Sequence, residues 1–482
     1  MLFLGGCLIP VNGPGCMEGP NAGFFCTLET SQGCAINEIC AADDNGPTCK
    51  IRCDVASDCP AHLAECTPAA PGSSINVCRP SACASAGGCG GADAGDDWLF
   101  DAGPDDTGPP LGDGGPIDGD AWPQYGHDAK HTGRSSAVPS HAPTLLWSCD
   151  LPGSMGWTEV VVDAHSNSYV SDFQQVYAVD PGGKLRWQAG HEVRGALVEP
   201  SGEVIWTEKG GVVHGANADG TTIFDLKIAG ASPQDSGIEV SRPTLGADGV
   251  VYVTTSNASS HEAALHAIDP AGLLLWSQVL SVDNHQAGQP AQDDDGSLAI
   301  ALFPGIGASG TQIVKTTLTG AVVWSRPIPE AGVKPAVPTF GPGGSLRIAI
   351  GARLFGFTAT GDTLFTSKFS TLGALLTPID APGNTHVAQL AGVSWIDSTG
   401  QLFESTFSEE GSALDIDTNA APALAADGVL VVRRAEGPLH GLYRGKAVWS
   451  AAAGAAGGSL SVIIGPDATM YAAVGPRLFA LR

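Results

Sequence analysis

Val176-Tyr-Ala-Val-Asp-Pro-Gly-Gly-Lys-Leu-Arg-Trp187 returns later in the chain as Leu265-His-Ala-Ile-Asp-Pro-Ala-Gly-Leu-Leu-Leu-Trp276. Each copy reads as a strand, a turn and a second strand. Pro181 and Pro270 preset φ in the turn, while Gly183 and Gly272 accept a positive φ. Working outward, the closing aromatic recurs as Trp147, Trp187, Phe224, Trp276, Trp324, Phe365, Phe403 and Trp449, at separations of 40, 37, 52, 48, 41, 38 and 46 residues. A period near forty is the mark of one supersecondary unit copied many times. Upstream of the turn lies another hairpin, clearest in Ala247-Asp-Gly-Val-Val-Tyr-Val253, Asp294-Asp-Gly-Ser-Leu-Ala-Ile300 and Ala426-Asp-Gly-Val-Leu-Val-Val432. Asp-Gly between β-branched runs is a strong hairpin signal. No long stretch carries a 3.6-residue period, so helix is expected to be scarce. Four short antiparallel strands per repeat make one propeller blade.

The ends of the repeat region complement each other. The last copy has Thr469-Met-Tyr-Ala-Ala473 and Arg477-Leu-Phe-Ala-Leu481 but no final aromatic strand, and Thr144-Leu-Leu-Trp147 has no blade before it. Joined, they predict an eighth blade built from both ends of the region, which removes open edges. The fold class expected is therefore all-β: an eight-bladed propeller over 122–482.

The pattern Ala178, Asp180, Gly183, Trp187, repeated as Ala267, Asp269, Gly272, Trp276, resembles the tryptophan-docking motif of the pyrroloquinoline-quinone-like propeller family. A lead-in motif, Trp122-Pro-Gln-Tyr-Gly-His-Asp-Ala-Lys-His-Thr-Gly-Arg-Ser135, is similar to the segment with which such propellers begin; Trp122, Gly126, Asp128, Thr132 and Gly133 carry it. The resemblance spans three quarters of the chain and implies one of two activities. The family's dehydrogenases hold the quinone against a vicinal cysteine pair. Its non-enzymatic branch includes an outer-membrane lipoprotein that scaffolds β-barrel assembly. The ring here has one cysteine, Cys149, and no Cys-x-x-Cys-His haem attachment signal. The non-enzymatic branch is expected, with neither the quinone nor calcium bound.

Composition sets the surroundings. A net charge of −27 argues against nucleic acid and against anionic membrane surfaces. Twelve of the thirteen cysteines lie between Cys7 and Cys89. They show no Cys-x-x-Cys spacing, so 16–89 reads as a disulfide-stapled module of an oxidising compartment. Residues 90–121 hold nine aspartates and no cation among glycines and prolines. Such a stretch reads as a disordered acidic linker, and its spacing does not match a calcium loop. Within 1–15, Leu4-Gly-Gly-Cys7 resembles a bacterial lipobox and makes Cys7 a candidate for lipidation; the alternative is an ordinary disulfide cysteine. No stretch is long and apolar enough to span a bilayer.

No catalytic constellation emerges. His127 and His131 stand four apart, as zinc ligands on a helix would, but they fall where turns are expected. His261, Glu262 and His266 do not form a His-Glu-x-x-His motif; they sit around the strand carrying Leu265 and Ile268, and alternation puts His261 and Glu262 on opposite sides if extended, so a surface loop and not a site is expected. Cys149 shares a strand side with Trp147 and is expected to be a buried thiol; the alternative is a disulfide to the cysteine module, whose eleven cysteines beyond Cys7 cannot all pair among themselves. The 225–276 and 277–324 blades are the longest, and their extra loops, 230–239, 256–263 and 305–311, are where a ligand is expected. The function expected is a secreted or surface-anchored binding or scaffold protein with a protein or glycan partner. The alternatives are a quinone-dependent oxidoreductase and a structural spacer.

Overall fold

The computed structural model describes residues 121–482 apart from 153–157, 229–237, 306–309, 329–335, 370–375, 390–391, 407, 410–411, 414–415, 417–419, 435–437, 444–445 and 452–460, together with the backbone of six short strands before residue 80. The chain divides into two compact units, Met1–Gly87 with Ala92–Gly103, and Gly88–Gly91 with Pro104–Arg482. In the first unit, strands Glu38–Asp43, Gly46–Cys53, Asn76–Arg79 and Glu65–Pro68 follow one another across a sheet, and Phe3–Leu4 pairs with Cys7–Leu8. The linker expected at 90–121, apart from its last residue, and the side chains of the cysteine module, Cys7 among them, lie outside the described residues.

The second unit is an eight-bladed β-propeller. Blade 1 runs outward through Glu159–Val162, Ser168–Ser171, Val176–Val179 and Leu185–Ala189, each strand antiparallel to the last. Six further blades follow in chain order, and their outermost strands carry Phe224, Trp276, Trp324, Phe365, Phe403 and Trp449. Blade 8 takes three strands from the last residues and its outermost from Leu145–Asp150, with Trp147 opposite Ala480 and Cys149 opposite Leu478. The ring closes as the complementary ends require. Blades 3 and 4 split the innermost strand in two, Ile238–Val240 with Thr244–Leu245 and His285–Ala287 with Ala291–Gln292, and in blade 6 it shrinks to a single bridge, Ile379 to Thr385. Helix is confined, among the described residues, to one short 3-10 turn at Pro342–Gly344.

Burial falls off radially. The inner strand Glu159–Val162 is wholly buried, whereas the outer strand Leu274–Ser281 alternates between half-buried and exposed. Inner strands are packed on both faces by neighbouring blades, so they read as continuous apolar runs; outer strands keep one wet face.

Each motif residue has a steric reason. The closing aromatic of one blade lies on the turn glycine of the next. A methyl group at Gly183 would sit 2.7 Å from Trp147, at Gly220 2.8 Å from Trp187, and at Gly361 2.7 Å from Trp324. These glycines have φ of +85°, +87° and +82°, so hydrogen serves twice, for the turn and for the ring above it. Indole nitrogens complete the dock: Trp147, Trp187 and Trp324 donate to the carbonyls of Pro181, Ala218 and Ala359 at 2.9, 2.8 and 3.1 Å. The small residue of the motif lies beneath its own blade's aromatic, Ala178 opposite Trp187 and Gly215 opposite Phe224. The motif aspartate caps the turn; Asp180 Oδ1 accepts from the amides of Gly182 and Lys184. Phe403 departs from the pattern. It is 39% exposed and stacks on Trp395 of its own blade.

Cys149 corrects the sequence reading. Its side chain is fully buried, as alternation with Trp147 requires, but it is disulfide-bonded and not a free thiol. All other cysteines precede residue 90. Burial alone could not separate a thiol from a half-cystine, because both are small and apolar.

Two outcomes follow from this packing. Gly183→Ala should lose about 1–3 kcal/mol more in urea unfolding than Gly249→Ala. Both glycines have positive φ, but space above Gly249 is open. Equal losses would mean that the aromatic dock contributes little. In non-reducing peptide maps, the peptide holding Cys149 should be joined to one from before residue 90; alkylation of Cys149 in the unreduced, denatured protein would contradict this.

Candidate functional site

The lead-in motif occupies one end of the ring. Residues 122–137 make a circuit at the ends of the inner strands, one blade after another. Trp122 exchanges two backbone hydrogen bonds with Val162 of blade 1, and the carbonyl of Pro123 accepts from Val198 of blade 2. The Gln124 side chain brackets Leu245 of blade 3. The carbonyls of Ala129, Lys130, Thr132 and Gly133 then accept from Gln292, Phe340, Ile379 and Leu424 of blades 4 to 7. The circuit is tight because Gly126, His127, His131 and Gly133 all take positive φ. Asp128 holds it, accepting from the amide and hydroxyl of Thr132 at 3.0 and 2.5 Å. The amide of Gly133 closes the loop on the carbonyl of Gly126 at 2.8 Å.

His127 and His131 are therefore turn residues, not neighbours on a helix. His131 is fully buried, with Nδ1 3.3 Å from the Pro338 carbonyl, and burial pushes its pKa down to about 4. The His127 ring meets Trp122 edge to face at 4.8 Å. His261 occupies a turn at φ 63°, and the strand expected around Leu265 and Ile268 runs Glu262–Ile268, taking in Glu262 and His266. His266 is buried between the hydroxyls of Thr255 and Ser277, both at 2.8 Å. No group of three or more metal-ligating side chains occurs among the described residues.

At the opposite end, where the inner strands begin, a small cavity is lined by Glu159, Ser171, Asp172, Phe173, Val193, Arg194 and Arg242. Three blades supply it. Glu159 opens the inner strand of blade 1, Arg194 lies near the start of that of blade 2, and Arg242 follows that of blade 3. Arg242 reaches Glu159 by crossing blade 2 at Gly195, where a methyl group would sit 2.6 Å from its Cγ. Its guanidinium lies 4.4 Å from the ring centre of Tyr125, so the lead-in segment forms a base beneath the pair. Burial pushes the Glu159 carboxyl up despite Arg242, and Glu159 holds the Arg242 guanidinium above its ordinary value. Tyr125, buried under both, is raised to about 12. Arg194 pairs with Glu239 at 3.1 Å and lies 5.8 Å over the Phe173 ring. Glu239 belongs to the expected ligand loop 230–239, and the turn at 257–261 lies at this same end. Residues 230–237 and 306–309 are outside the described residues.

The signal that could have found this site is charge inside an apolar inner strand. Glu159 precedes three valines that are wholly buried, and a buried carboxylate requires a partner.

Small-molecule sites are usually about 300–1,000 Å³. The cavity has a volume of about 10 Å³, and Arg242 stacked on Tyr125 fills the space below it. The described residues at this mouth do not fit a tricyclic quinone. No protein-family model matches the sequence, and no curated protein matches it. Solved structures do match the fold. Quinohemoprotein alcohol dehydrogenase from Comamonas testosteroni superposes with a TM-score of 0.58 at 12% identity, over 75% of this chain and 80% of that one. BamB from Moraxella catarrhalis gives 0.52 at 16%, over 71% and 100%. The computationally designed Ika8 protein gives 0.52 at 11%, over 70% and 98%. A dehydrogenase, BamB and a designed chain share the architecture, so the likeness establishes the propeller fold and no activity.

A second acidic group lies at the turn end. Burial, with Glu203 and Asp269 close by, pushes Glu199 up from 4.5 to about 7. The folded ring thus holds this proton more tightly than the unfolded chain. The stabilisation is complete below about pH 4.5 and is lost as pH rises through 7. Relative to Glu199→Gln, the native protein should lose about 1–2 kcal/mol between pH 5 and 8. Parallel stability curves would show that this proton does not matter.

Proposed function

We propose that the chain is a non-enzymatic extracytoplasmic binding protein that holds a protein partner at the open mouth of its propeller. The observation that carries this is the two-ended channel. The lead-in segment bonds to seven blades at one end. The other end presents a half-exposed Phe173, Arg194 and a buried carboxylate beside the expected ligand loops. Aromatic and arginine side chains beside desolvated charge are the usual anchors of protein recognition. The turn end is acidic for a local reason: Asp163, Asp180, Asp248, Asp269, Asp295, Asp397 and Asp467 accept backbone amides of their own turns. The clustered cysteines and the lipobox-like Leu4-Gly-Gly-Cys7 support a secreted or lipid-anchored protein at the outer membrane. No helix among the described residues is long and apolar enough to cross a membrane. Quinone oxidation is the alternative reading; the cavity lined by the described residues is too small for the ring system.

A photo-crosslinking residue at position 173 should yield a discrete adduct from the native cell envelope, and the same residue at position 219, on the turn end, should not. Adducts at 219 alone would reverse the assignment of the faces. Adducts at neither position would favour a structural spacer.

A further inference from the structure

We propose that the cavity at the open mouth is the seat of a primary ammonium, the tip of a lysine side chain of the protein partner. This rests on the reading of that mouth as the binding end.

Glu159 is 2% exposed, and one of its carboxylate oxygens pairs with Arg242. The other, Oε1, is buried with no donor among the described residues. A buried carboxylate oxygen without a donor is costly, so the site calls for a donor from outside. The size of the cavity selects which one. A volume of about 10 Å³ takes one water-sized group. An ammonium is that size, whereas a guanidinium spreads three nitrogens over a rigid plane.

Charge points the same way. Among the described residues that line the cavity or pair with its lining, the carboxylates are Glu159, Asp172 and Glu239, and the cations are Arg194 and Arg242. The balance leaves one negative charge for an incoming cation, and the −27 of the chain draws cationic partners in. Phe173 at the rim offers an apolar ring beside which the methylene stem of a lysine can lie while its head group goes deeper. An ammonium in place would also hold Glu159 ionised, against the effect of its burial. A sugar hydroxyl could donate to the same oxygen but brings no charge, so the surplus favours the lysine.

The test uses the full chain and four small probes in calorimetric titration: Nα-acetyl-lysine amide, Nα-acetyl-arginine amide, Nα-acetyl-norleucine amide and methyl glucoside. The lysine probe should saturate, at least about tenfold tighter than the arginine probe. The uncharged norleucine probe and the glucoside should not saturate. Glu159→Gln should weaken the lysine probe by at least about tenfold. Because that change also disturbs Arg242, a second variant guards against misfolding: Ser171→Thr adds a methyl group to the cavity wall and should bring the same loss at an unchanged melting temperature. Equal binding of lysine and arginine probes overturns the proposal, as does saturation by the glucoside alone or the absence of saturation by any probe. If the crosslink at position 173 forms while the lysine probe fails, the ammonium seat is wrong and the binding mouth stands. If the crosslink fails as well, the binding mouth falls with it.

Discussion

A flat aromatic ring lying on a glycine of the next blade is the contact on which the rest of this propeller depends. A blade alone is a small twisted sheet with two apolar faces, and it can be buried only by neighbours. The dock sets how close those neighbours come. Trp147 on Gly183, Trp187 on Gly220, Phe224 on Gly272 and Trp324 on Gly361 repeat one geometry around the ring. Two requirements meet at each glycine. The turn needs a positive φ, and the aromatic needs the absence of a Cβ. Only glycine satisfies both, so the spacing of glycine and aromatic persists where most other positions have drifted.

The second constraint is that a ring has two ends and the chain must enter at one of them. Its lead-in segment bonds to the blades in order before it supplies the outermost strand of blade 8. That path makes the propeller unsymmetrical. The turn end carries aspartates whose oxygens are spent on their own turns. The other end gathers Glu159, Arg194 and Arg242 from three blades around a cavity. Arg242 can bridge blades 3 and 1 only because Gly195 of the blade between them has no side chain. Function is assigned to this end because Glu159, with one oxygen unsatisfied among the described residues, lines a cavity beside the exposed Phe173.

Much of the fold was legible in the residues, because β periodicity, turn chemistry and the aromatic repeat are local signals. Asp180 and Gly183 are adequate to foresee a turn, and Trp147 is adequate to foresee a closing strand. What escaped was non-local. The disulfide at Cys149 joins positions far apart in sequence, and the spacing of cysteines carries no pairing information. His127 and His131 have helical spacing but lie in turns with positive φ, since backbone conformation overrides spacing. The place of His266 between two hydroxyls escaped because such a buried histidine has no signature in sequence. Blade 6 lost its inner strand although its turn, Asp380-Ala-Pro-Gly-Asn384, is intact. Phe403 closes its repeat in register yet stays half exposed against Trp395.

By itself the sequence determined the blade number, the sites of the turns and the joining of two distant segments in one blade. Each is set by short-range sterics repeated at a fixed period. Only the tertiary structure decided that the lead-in motif circles one end of the channel, and that Glu159, Arg242 and Tyr125 meet. Those residues are 34 to 117 positions apart, and no local rule relates them. Closing the ring brings their strands to a common axis, and burial there makes their charges matter.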